Sequence, residues 1–242
     1  MKASAFVSMQ RMARSSFARS NHRARERSAM SDWFRKRSWT PEDQADFWRR
    51  HRRCRSVYNR AQFLRIQAFH LAETRQRELM EAAMKLLNLM IAEFPEPSQL
   101  SCAHVERGDI FLQRGRVDEA LAEYRKAIAQ ERVHPEARTQ CWLSFGWTAV
   151  MHHRTELYDE AERILSEREN EAMFPVDFYR LHAIRSIICR SRGDINTARA
   201  RAEAALREAS KTHSGFRYHP NLGLVTSYKG DIRRQLEEVL ND

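Results

Sequence analysis

The chain has 242 residues, with 42 Lys+Arg against 32 Asp+Glu, a formal charge of +10. It holds seven Gly and six Pro, where average usage would give about seventeen and twelve. That scarcity of breakers argues against an all-β chain rich in turns, and a hydrophobic content of 42% argues against full disorder. No run approaches the roughly 18 apolar residues of a membrane span.

Residues 1–30 carry seven basic residues and one acid, Glu26. They are rich in Arg and Ser and lack an apolar run of seven, which excludes a secretory signal peptide. Two readings stand: a disordered basic leader, or an organelle transit peptide. The expected location is the cytoplasm, or an organelle if the second reading holds. Residues 31–56 are basic and aromatic. Trp39-Thr40-Pro41-Glu42-Asp43 reads as a helix start, with Thr40 as cap, Pro41 at the first helical position and acids in the first turn. A helix from 41 to about 55 is predicted, packing as an N-terminal cap on the first repeat. Its basic residues encircle it and leave no clean apolar face. Arg49, Arg50, Arg52, Arg53 and Arg55 make it a candidate for an anionic membrane or nucleic acid. The alternative is a solvated face paired with acids of the first repeat. Residues 61–242 hold 26 basic and 27 acidic residues, so the excess charge lies entirely upstream.

From residue 57 the chain is expected to form one helical repeat domain, 57–242. A stripe of Leu79, Met80, Ala83, Leu86, Leu87, Met90 and Ile91 predicts a helix over 76–94 with one inward face. Gly115 and Gly193 are each followed by Ala five residues on, at Ala120 and Ala198. Tyr124 and Ala202 come four later, then Ala127 and Ala205. Small residues at these offsets let two helices approach, and each Gly ends one helix before the next. Cys54, Cys102, Cys141 and Cys189 form no C-x-x-C pair and read as buried free thiols.

This pattern resembles the tetratricopeptide repeat, a 34-residue helix–turn–helix unit. The best-matching unit is 101–134, with Gly108, Phe111, Ala120, Tyr124 and Ala127 in place. Weaker units fall at 64–97 and 179–212. One starting at 139 matches with Trp142, Phe145, Gly146 and Ala149, then needs three inserted residues before Tyr158. A truncated fifth from about 216 offers Leu222 and Gly223. His104 and His182 share one repeat position, normally aromatic, which points to packing. The resemblance implies an all-α, right-handed solenoid of helical hairpins, four to five repeats with an N-terminal capping helix.

No nucleotide-binding, metalloprotease or serine-hydrolase pattern is present, so neither an enzyme nor a cofactor is expected. His152-His153 near Glu156, Asp159 and Glu160 could hold a metal, but the cluster falls in an inserted turn, and a solvated loop is the better reading. No metal site is expected. In the family, certain first-helix positions face a concave groove that holds a partner. Carried over, these are Arg65 and Arg75, Asp109 and Gln113, Gln140 and Trp147, and Arg180 and Arg190. Arg forks carboxylates and Trp supplies contact area, which suits an extended peptide with acidic and apolar side chains. Ala68 and Ala72 stand where co-chaperone members carry a carboxylate-gripping Lys and Asn, which argues against that subtype. The expected function is a non-enzymatic protein–protein scaffold. The alternative is an adaptor that meets membrane or nucleic acid through 31–56.

Overall fold

A computed structural model describes residues 33–226 and 231–241. The expected leader, residues 1–30, lies outside them. The described residues form ten α-helices and no strand: α1 Pro41–Arg53, α2 Val57–Ala72, α3 Arg77–Glu93, α4 Pro97–Gln113, α5 Val117–Val133, α6 Cys141–Met151, α7 Tyr158–Arg168, α8 Pro175–Ser191, α9 Ile195–Ala209 and α10 Asp231–Asn241. None is long and apolar enough to cross a membrane. They divide into two compact units, residues 33–99 and 100–241, with the boundary inside the first turn of α4. The domain boundary expected at 56/57 falls within the first unit.

The first unit joins the cap helix to the α2–α3 hairpin. Thr40 starts α1 as its sequence requires. Its hydroxyl accepts from the Asp43 N–H at 3.2 Å, and the Asp43 carboxylate accepts in return from the Thr40 N–H. Two orphan donors of the helix end are thus satisfied. The helix buries Asp43, Phe47 and His51, four residues apart. Of these only Phe47 is apolar. Phe47 sits among rings, 5.3 Å from Trp33, 5.4 Å from Trp39 and stacked 5.7 Å from His51. His51 in turn meets Phe94 at the end of α3. The stripe predicted on α3 buries Met80, Ala83, Leu86, Leu87 and Met90.

In the second unit, adjacent helices pack in pairs. Gly115 and Gly193, at φ 72° and 80°, turn the chain between α4 and α5 and between α8 and α9. That left-handed backbone is strained for any residue with a Cβ. Between α4 and α5 the approach is so close that a Cβ on Gly108 would lie 2.6 Å from the Tyr124 ring. On α9, Ala198, Ala202, Ala205 and Ala209 form a buried small-residue stripe against α8. Ser186 fills the Gly108 position of α8 and donates to the Ala198 carbonyl at 2.9 Å. The inserted residues before α7 form a short 3-10 turn, Thr155–Leu157.

Among the described residues, helices pair in sequence from α2–α3 to α8–α9. Their first helices begin at Val57, Pro97, Cys141 and Pro175. Three start earlier than the expected units, α2 by seven residues and α4 and α8 by four. Of the truncated fifth unit, the described residues show no first helix. Residues 216–226 are a loop, in which the Gly223 carbonyl accepts from the Val176 N–H at 2.9 Å and Phe216 packs 5.3 Å from Phe174. A single helix, α10, comes after it. It packs on α8 and α9 and buries Ile232, Leu236 and Val239 in the shared core. The four cysteines are free, but only Cys141 is fully buried. Burial pushes its thiol up to about 12, with the Glu131 charge adding to the effect.

Candidate functional site

The second unit brings several expected groove residues together on the first-helix side. Asp109 projects from α4 and accepts a 2.7 Å hydrogen bond from the Tyr124 hydroxyl of α5. Asp109 is exposed, yet desolvation raises its carboxyl above the ordinary range, opposed by that bond and by the Arg180 charge. Burial raises the Tyr124 phenol strongly, helped by the Asp109 charge, so Tyr124 stays a neutral donor. Arg180, on α8, lays its guanidinium 5.4 Å from the centroid of the Trp147 ring of α6. Desolvation pulls its pKa down, and Tyr124, Asp177 and Asp109 pull it back. Trp147 also meets Tyr179 at 6.1 Å. Gln140 donates to Asp177 at 2.7 Å, and Asp177 also accepts from the backbone N–H groups of Met173 and Phe174. A cleft of about 550 Å3 opens beside this pair, lined by Trp142, Phe174 and the exposed Met173.

Thus Asp109, Gln140, Trp147 and Arg180 stand where a ligand could touch them. Gln113 is exposed at the far end of α4, and Arg190 lies in the last turn of α8, 3.3 Å from Glu238. Arg65 belongs to the first unit, where it donates to Gln99 at 2.8 Å. Arg75 is not on a first helix: α2 ends at Ala72, and Arg75 sits in the turn at φ 58°. The early start of α2 is the reason, since the helix ends at Ala72, three residues before Arg75. The repeat pattern assigns Tyr124 to packing alone and does not single out Asp177. The Pro175-x-Asp177 start of α8 is the available signal, an acid in the first turn after a helix-starting proline.

The arrangement offers a flat aromatic face, an N–H-rich cation and a carboxylate acceptor side by side. That set can hold an amide or a carboxylate group. The recurring histidines are structural: His104 lies 2.8 Å from Glu123, and His182 3.4 Å from Arg201, each nineteen residues on across its own hairpin. His152 and His153 are exposed, while Asp159 pairs with Arg192 and Glu160 with Arg125. Among the described residues, no three His, Cys, Asp or Glu gather as a metal site would need.

The basic segment divides into two parts. Arg49 and Arg50 pair with Asp46 of their own helix, not with acids of the α2–α3 hairpin. Arg52, Arg53 and Arg55 are exposed.

No protein-family model, no curated protein and no solved structure matches this chain.

Proposed function

We propose that this chain is a non-enzymatic scaffold that holds an extended segment of a partner protein against the first-helix side of its second unit. In this reading the hairpins are tetratricopeptide-like and wind as a right-handed solenoid, which would make that side concave. The observation that carries the reading is Arg180, spread over Trp147 and close enough to Asp109 to feel its charge. A guanidinium fixed on an aromatic face loses little freedom on meeting an acid or a peptide carbonyl. Asp109 would accept from a partner N–H, and the cleft at Trp142 and Met173 would take an apolar side chain.

The test is a pull-down with mass spectrometry, using the full chain as bait with nuclease present. Arg180→Glu and Trp147→Ala baits run beside it. Proteins retained by the natural chain and lost from both variants support the reading. Retention by both variants of everything that the natural chain retains overturns it.

A further inference from the structure

Between α1 and α2 the chain turns over three residues, 54–56. The turn is held from within. Arg60 donates from Nε to the Cys54 carbonyl at 2.6 Å and from Nη2 to the Arg52 carbonyl at 3.4 Å. Its guanidinium also lies 5.5 Å over the Phe94 ring. The buried His51 ring reaches the Arg60 carbonyl at 3.3 Å, and the Ser56 hydroxyl caps α2. One arginine is thus committed to shaping the tip.

The neighbouring arginines are disposed differently. Arg49 and Arg50, a turn back, share Asp46. Beyond them the neutralisation stops. Arg52, Arg53 and Arg55 are exposed, and among the described residues no carboxylate pairs with them. The same tip carries Val57, 53% exposed, and Tyr58, 43% exposed. Two bulky apolar side chains therefore stand in water within a few residues of three bare guanidiniums. Their shared neighbourhood suits a surface that is anionic outside and apolar beneath.

We propose that the α1–α2 tip docks on an anionic lipid surface. Arg52, Arg53 and Arg55 meet headgroup phosphates, while Val57 and Tyr58 enter the boundary between headgroups and acyl chains. Each basic group near such a surface raises partitioning roughly fivefold, and Tyr favours that interface. A nucleic acid would use the same cations and could stack Tyr58. It offers no apolar layer for Val57, and its attraction rests on salt-sensitive counterion release. The apolar contribution to lipid binding is not screened by salt.

The test is vesicle flotation of the full chain. One set of vesicles is phosphatidylcholine alone, the other phosphatidylcholine with about a third phosphatidylserine. The expected result is flotation with the second set only. Replacing Arg52, Arg53 and Arg55 by Gln should cut partitioning on the order of a hundredfold. Replacing Val57 and Tyr58 by Ser should remove whatever binding survives in 0.5 M salt. All five side chains are exposed, so circular dichroism should show both variants folded. Three outcomes overturn the proposal: no flotation of the natural chain, equal flotation of the triple Gln variant, or binding to a single-stranded RNA oligonucleotide without binding to vesicles. Equal flotation would assign the attraction to the basic residues upstream.

Discussion

In residues 33–99, rings meet rings. Trp33, Phe34, Trp39, Trp48, His51 and Phe63 form a continuous set of contacts around Phe47, and Phe94 extends it through His51. In residues 100–241, charge meets charge. Arg125 reaches Glu160, Arg132 reaches Glu167, and Arg138 reaches Glu171. These links join residues 33 to 35 apart, from one hairpin to the next. At their centre lies a buried pair, Glu131 with Arg168 at 2.7 Å. Ser101 and the Thr139 backbone also donate to Glu131, and Arg168 forks Glu171. Burial disfavours the Arg168 charge, but the bonds and charges of Glu171 and Glu131 prevail and raise its pKa. Rings bury large apolar area and can meet edge-on or tilted with several neighbours at once, which suits a cap helix that obeys no repeat. Ion pairs specify partners, which suits hairpins that must stack in one register.

The comparison is broken most directly at its two centres. Phe47→Ala should cost about 3–5 kcal/mol, since the side chain is fully buried among rings that cannot close the gap. Urea denaturation measures the loss, and hydrogen exchange should place it in α1–α3. Glu131→Ala should cost about 3 kcal/mol by leaving Arg168 without its buried partner, with faster exchange in α5–α7. If Glu131→Ala leaves stability unchanged, the charges are not what sets the second unit. Gly108→Ala should lose about 1–2 kcal/mol on the same urea assay. Overpacking against Tyr124 outweighs the roughly 1 kcal/mol that Ala normally adds to a helix.

Asp43 gives a pH-dependent test within the first unit. Hydrogen bonds from Lys36 and Ser38, against some desolvation, hold its carboxyl down from the ordinary 3.8 to about 2. A depressed folded-state pKa contributes stability above 3.8 that disappears as pH falls through about 2. Asp43→Asn should therefore flatten the acid limb of a melting-temperature profile in that window. The smallest effect belongs to the outer ladder. Arg132 and Glu167 are largely exposed, so Arg132→Ala should cost under about 1 kcal/mol, less in high salt. A larger loss would extend the role of charge from the buried pair to the surface.

Much of this fold is legible in the sequence. The Gly115 and Gly193 spacings locate two hairpins because a tight turn and a small-residue stripe leave few other residue choices. Thr40-Pro41 locates the start of α1 for the same reason. Helix length is harder, because Ala, Glu and Arg tolerate an extra turn at little cost. Pro97 and Pro175 head α4 and α8, yet a proline marks a joint between units equally well, and the expected units begin four residues late. The Leu222-Gly223 match misleads because two residues agree with a helix while Gly215, Pro220 and Asn221 around them favour turns. At the site, Asp109, Gln140, Trp147 and Arg180 can be named from their positions. The Tyr124 hydroxyl cannot, since its partner is set by how α4 and α5 cross.

The helix α10 bears on what the neighbouring hairpin shows to water. α10 lies against α8 and α9 and keeps its apolar side for them. Outward it shows Asp231, Arg234, Glu237 and Glu238, both signs of charge interleaved. Without it, the α8–α9 hairpin would leave to water the apolar surface that Ile232, Leu236 and Val239 cover. The helix thus gives that hairpin an outer face of mixed charge where it would otherwise show an apolar one.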